Sequence, residues 1–114
     1  MGFNSHLGLR ADGEDVILDT RPEHEVIPGT IHFAVLTTLA EVSAAGVVEA
    51  SVVPASVNVQ LLRRATPGRL RGRGHLLRRG RRLAVAEGEV WQEVDGEDAV
   101  MVAKATVQFA VLQP

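Results

Sequence analysis

Glu41 is the only charged residue between Phe33 and Val48 of this 114-residue chain. The stretch around it is apolar, so burial there strips water from the carboxylate, raises its pKa and leaves it in need of a partner. A carboxylate so placed is a candidate general base or nucleophile. The alternative is a glutamate whose head escapes to solvent or to an arginine. Just upstream, Ile27-Pro28-Gly29-Thr30-Ile31-His32 leads into the same stretch. If the stretch is a helix, the N–H groups of Phe33 and Ala34 lack intrahelical partners and sit at the positive end of the dipole. Such donors hold the charge that develops on a carbonyl oxygen in acyl transfer, where one is worth about a hundredfold to a thousandfold in rate. The plainer alternative is a helix start capped by Thr30 or by water. His32 could touch a substrate or only fix the loop through a hydrogen bond. Neither His32 nor the Glu23-His24-Glu25 trio has metal-ligand spacing, so no metal is expected.

Charge is segregated along the chain. Nine arginines and no acid lie between Arg63 and Arg82, whereas acids dominate on both sides, and the net charge is -2. A basic block of this kind is a footprint for a polyanion: a nucleic acid, a membrane surface or the phosphates of a nucleotide-like substrate. Its other reading is a solvated outer sheet face, because Arg71, Arg73 and His75 alternate with Leu70, Gly72, Gly74 and Leu76. Nucleic acid is disfavoured, since aromatic residues make up 4% of the chain and stacking platforms among the arginines are missing. Gly72-Arg73-Gly74 opens like a dinucleotide fingerprint but lies inside a strand, where glycine more often permits close packing. There is no phosphate loop and no Gly-x-Ser-x-Gly elbow.

The elements that must position these residues follow from period and punctuation. Residues 6–10 and 15–20 read as a hairpin around Ala11-Asp12-Gly13-Glu14, and 21–30 as a loop marked by Pro22, Pro28 and Gly29. A helix is predicted over 31–49, apolar nearly all round, which demands cover on several sides. Strands are predicted over 56–63, 69–79, 82–92 and 99–112, the last with Ala99, Met101, Ala103, Ala105, Val107, Phe109 and Val111 on one face. One long helix and five to six antiparallel strands make an α+β fold in which a curved sheet wraps the helix.

The length fits one domain over 1–114, with no room for a separate cofactor domain. With no cysteine, disulfides, thiolate metal sites and a cysteine nucleophile are excluded, which fits a reducing cytosol. The opening residues lack a signal-peptide pattern, and the apolar stretch holding Glu41 is too short to span a bilayer comfortably. A soluble cytoplasmic protein is expected, without a membrane partner.

Gly29-Thr30-Ile31-His32 followed by Leu39-Ala40-Glu41 resembles the helix signature of hotdog-fold thioesterases of the phenylacetate-pathway PaaI type. The likeness extends through Ser56-Val57-Asn58-Val59-Gln60-Leu61-Leu62-Arg63, Gly68-Arg69-Leu70, Gly80-Arg81-Arg82-Leu83-Ala84 and Val102-Ala103-Lys104-Ala105-Thr106, roughly residues 15 to 110. It implies an acyl-CoA thioesterase without a cofactor, coenzyme A being part of the substrate. It also implies a homodimer or homotetramer with the active site between protomers. By resemblance Glu41 attacks the thioester or activates water, the Phe33 N–H of the partner subunit polarises the carbonyl, and His32 stands beside it. Gly29, Ala34, Ser56 and Asn58 are expected along the substrate, with Arg81 and Arg82 on the CoA phosphates. A hotdog protein that binds acyl-CoA without hydrolysing it is the alternative. The sequence departs from the family at Phe33-Ala34, where it has paired glycines, at Val26, where Asn or Gln is usual, and at Ala45, where it has a polar residue.

Overall fold

The computed structural model describes residues 2–112. A short helix α1 (Phe3–Leu7) precedes the hairpin β1 (Arg10–Asp12) and β2 (Asp15–Asp19). A single 3-10 turn at Pro22–His24 leads to the small ribbon β3 (Glu25–Ile27) and β4 (Thr30–Ile31), and then to the long helix α2 (Phe33–Gly46). Four long strands finish the chain: β5 (Val52–Leu61), β6 (Arg69–Arg79), β7 (Leu83–Gln92) and β8 (Val100–Val111). The expected architecture is present: one long helix on a six-stranded antiparallel sheet of order β1-β2-β6-β7-β8-β5. Among the described residues no helix is long and apolar enough to cross a membrane.

Small residues bring α2 down onto the sheet. A Cβ on Gly72 would meet the Leu39 and Ser43 side chains, one on Gly74 the Ser43 carbonyl, and one on Gly88 the Ala40 carbonyl. The glycine spacing in β6 therefore reflects helix-on-strand contact rather than phosphate binding. Around this seam Leu18, Leu36, Leu39, Leu70, Val90, Val107 and Phe109 are buried in one cluster. Burial at that scale contributes about 25 cal/mol per Å² of apolar surface removed from water, which holds the helix in place.

Three segments differ from the sequence reading. The opening hairpin turns between Asp12 and Asp15, and its first strand begins at Arg10, residues 6 and 7 belonging instead to the helix Phe3–Leu7. Residues 21–30 are not a plain loop, because Ile27 pairs with Thr30 across Pro28-Gly29, with Gly29 at φ +87°. β5 begins at Val52 and runs through Pro54, with an irregularity between Pro54 and Ser56. Proline normally ends a ladder, but β5 is the last strand of the sheet and pairs on one side only. In β8 the expected buried face holds from Ala103 to Val111 but does not extend to Met101 and Ala99, because Val102 bulges out of register with β7 and is itself buried.

Candidate functional site

Glu41 lies in the middle of α2, and the helix wheel fixes its direction. Leu39 and Ser43 lie over β6, and Ala40 lies over β7. Turning the same way at about 100° per residue, Ala44, Thr37 and then Glu41 come round to the side of α2 facing β8 and the free edge at β5. Glu41 is half-buried and, among the described residues, makes no hydrogen bond or ion pair of the kinds its neighbours make. Burial alone pushes its pKa above the ordinary glutamate value, with no cation to bring it back.

The strand opposite is unusual for its exposure. Val57, Val59 and Leu61 of β5 pair with the buried Val107, Ala105 and Ala103, so they share the face that carries α2. Yet Val57 and Leu61 are 42% and 51% exposed, because the helix does not reach them. The other edge of the sheet is guarded by its shortness and charge, β1 being three exposed residues, Arg10 to Asp12. The β5 edge has ten residues and no Lys, Arg, Asp or Glu.

Two turns before Glu41, the helix start is built by its own sequence. His32 is the N-cap, and its Nδ1 accepts the Ala34 N–H at 3.0 Å, which places the proton of a neutral ring on Nε2. The His32 N–H donates to the His24 carbonyl and the Ile31 N–H to the Ala65 carbonyl, both at 2.9 Å, fixing the approach to the helix. Buried His24 accepts the Arg21 N–H on Nδ1 at 2.9 Å. Gly29 donates its N–H to Glu25 Oε1 at 2.7 Å. Of the two N–H groups expected to be free, Ala34's is therefore engaged by His32, and Phe33's has no partner among the described residues. The Phe33 ring is 56% exposed and stacks on His32 with centroids 4.9 Å apart.

The remaining predicted residues divide by position. Ser56 and Asn58 pair with the exposed Gln108 and Thr106, so they lie on the sheet face turned away from α2, where Gln60 Nε2 donates to Asn58 Oδ1 at 3.1 Å. Within one protomer the fold does not bring them to Glu41. Arg81 and Arg82 lie in the β6–β7 connection, beside Arg79, whose Nη1 donates to the Val48 carbonyl just past the C-terminal end of α2. They belong to the opposite end of the helix from Phe33, about 21 Å away along a 14-residue helix.

Three of the nine arginines of the basic block are engaged with acids of the same chain. Arg69 pairs with Asp19 at 2.7 Å, Arg71 with Glu93, Asp12 and Asp15 at 2.8, 2.8 and 3.1 Å, and Arg73 with Asp15 at 3.2 Å. The Arg69 hydrogen bond, with Arg10 assisting against the cost of burial, holds Asp19 down at about 2. These acids come from the hairpin and from the end of β7, so the outer face is an ion-pair lattice rather than an open cationic stripe. Among the described residues no cluster of three His, Asp or Glu side chains is arranged to hold a metal ion.

Sequence reasoning missed Arg63 and Arg64. They follow β5 and line a groove of about 360 Å³ with Thr30, Ile31, Phe33, Leu36, Leu61, Leu62 and Ala65. Their signal was position: they stand where the predicted strand 56–63 ends, just ahead of the Thr66-Pro67-Gly68 turn.

Comparison with known proteins supplies independent findings. The model of the thioesterase superfamily matches residues 28–99, well over half of the chain and the whole of α2. Among curated proteins no relative matches. A thioesterase family protein from Silicibacter pomeroyi is similar in structure at a TM-score of 0.91 with 21% identity, covering 100% of this chain and 91% of that one. A phenylacetic acid degradation-related protein from Ralstonia eutropha is similar at a TM-score of 0.77 with 27% identity, over 95% of this chain and 88% of its own. A Bacillus halodurans protein, whose crystal structure is with CoA, is similar at 0.81 and 24%, over 96% and 74%.

Proposed function

The chain belongs to the thioesterase superfamily, and on that premise we propose that it hydrolyses an acyl-CoA thioester to the free acid and CoA, with Glu41 as the catalytic carboxylate. The observation that carries this reading is the unpaired, half-buried Glu41 on the side of α2 that faces the uncovered apolar edge. Its raised pKa makes it a better base than a solvated glutamate, and among the described residues none competes for its lone pairs.

In this reading Glu41 takes a proton from water, and the hydroxide oxygen bonds to the thioester carbon. The electron pair of the C=O bond moves onto oxygen, where the Phe33 N–H of the partner subunit stabilises it. Collapse of the tetrahedral species breaks the C–S bond, and the proton held by Glu41 goes to the departing CoA thiolate. Direct attack by the Glu41 carboxylate, giving a mixed anhydride that water then cleaves, uses the same groups. No cofactor is required beyond the CoA carried by the substrate.

A second copy of this chain is the proposed cover for β5. Its long edge leaves backbone donors and acceptors unpaired beside exposed Val53, Val57 and Leu61, and a two-fold antiparallel pairing of β5 with its copy would satisfy both. Such pairing reverses the partner, which carries its α2 start toward the Glu41 side of the seam. Two such dimers could pair again into a tetramer. Residence in the reducing cytosol fits the absence of cysteine.

One observation favours the alternative of a protein that binds acyl-CoA without hydrolysing it. His32 occupies the Ala34 N–H, and the Phe33 ring stands where the helix end meets solvent, leaving a single donor. Release of free thiol from a panel of acyl-CoAs by wild type and Glu41→Gln separates the two.

A further inference from the structure

The groove at the start of α2 combines four features that do not depend on one another. Its walls are apolar, formed by Ile31, Leu36, Leu61 and Leu62. Its rim carries Arg63 and Arg64, both exposed and, like Arg78, Arg79, Arg81 and Arg82 but unlike Arg69, Arg71 and Arg73, without an acidic partner among the described residues; of the unpaired arginines these two stand at the start of α2. The Thr30 hydroxyl in its lining is buried with no hydrogen-bond partner. Phe33, first residue of α2 and so without an intrahelical partner for its N–H, lines the groove as well.

The arginines are also held on a fixed backbone. The Leu62 and Arg63 N–H groups both donate to the Val102 carbonyl, at 2.9 and 3.3 Å, and the Ala65 carbonyl accepts from Ile31 at 2.9 Å. Buried Gln92 clamps the next residue, accepting the Thr66 N–H at 2.9 Å and donating to the Thr66 carbonyl at 2.6 Å. A rigid loop presenting two unpaired guanidinium groups loses little freedom on binding an anion, and guanidinium suits phosphate oxygens better than ammonium does.

We propose that this groove, with Arg63 and Arg64, is the seat of the CoA phosphates and the adjoining stretch of pantetheine, in place of Arg81 and Arg82 at the far end of the helix. The apolar walls suit the pantetheine methyl groups, and the two arginines suit the diphosphate. The larger cavity of about 780 Å³ shares Arg63 and Arg64 and adds Arg69, but it also carries Glu93 and Asp95, and Arg69 is already paired with Asp19, so the smaller groove, which has no acid in its lining, suits a polyanion better. The inference takes its ligand from the acyl-CoA reading, and its test keeps the two apart.

Calorimetric titration with CoA compares wild type, the double variant Arg63→Ala/Arg64→Ala and the double variant Arg81→Ala/Arg82→Ala, each shown by melting to be folded. Loss of the first pair should weaken CoA binding by roughly tenfold or more, with a flatter salt dependence, and loss of the second should change it little. In parallel, KM for the acyl-CoA should rise in the first variant while KM for the same acyl group on N-acetylcysteamine, which has no phosphate, stays put. Unchanged CoA affinity in Arg63→Ala/Arg64→Ala overturns the inference, as does a loss confined to the other pair. Wild type that binds CoA in this manner yet releases no thiol leaves the inference standing and overturns the hydrolase reading. Wild type that does not bind CoA overturns both.

Discussion

The Ala40 carbonyl of α2 rests on Gly88 of β7 so closely that no side-chain carbon fits between helix and sheet. This contact sets the depth at which the helix lies, and with it the height of Glu41 one residue further on. Gly88→Ala must push the helix off the strand or bend the strand away. The expected cost is about 3 kcal/mol, a drop in Tm of roughly 10 °C or more, read by thermal melting. A variant that melts with wild type would mean the helix rides higher than described.

That relationship shows what the sequence could and could not convey. The single charge in an apolar helix was legible because helical spacing and burial are local, and so was the buried face of β8 from Ala103 onward. The ribbon of β3 and β4 was not, since strands of three and two residues carry no period. Pro54 read as a strand boundary because whether a strand is an edge depends on the whole sheet. Ser56 and Asn58 alternate with apolar Val57, Val59 and Leu61, so the two faces of their strand were legible, and the fold turns the polar one away from α2 within a protomer. Arg81 and Arg82 had the right chemistry, and only the fold tells which end of the helix they stand at.

Arg71 should prove the peg of the β1–β2 hairpin. It joins Asp12 and Asp15 on that hairpin to Glu93 after β7, with its side chain 23% exposed. Arg71→Met should cost about 1 to 2 kcal/mol at low ionic strength, less in molar salt, and should speed hydrogen exchange in residues 10–19 before the rest of the sheet. Equal exchange in the two proteins would remove the peg role.

Burial raises the pKa of Glu41, and the sign of its effect on stability follows. The native chain keeps this proton at pH values where the unfolded chain has lost it, so stability is retained below the unfolded pKa and falls as pH rises through the folded one. Glu41→Gln should therefore be more stable than wild type at neutral pH, with the gap closing below the ordinary glutamate range. Denaturant melts across a pH series read this directly. A Gln variant less stable at neutral pH would show that the carboxylate has a partner in solution.

The β5 edge makes its own prediction. Val57→Lys puts a charge in the middle of the uncovered strand, where a second copy would have to bury it, and should weaken self-association at least on the order of tenfold. Light scattering across a dilution series measures the mass, and turnover should fall with it because the proposed site needs both protomers. A fully active monomer would place the whole site within one chain.

The most direct measurement is free thiol release from short, medium and aromatic acyl-CoAs by wild type beside Glu41→Gln, at a pH above the titration of Glu41. The Gln side chain keeps the shape of the site and removes its base. Turnover in wild type that falls by roughly a hundredfold or more in the variant, with CoA affinity retained, is the predicted result. Equal rates in the two proteins would contradict the assignment of Glu41, and no turnover of any thioester by wild type would contradict hydrolysis itself.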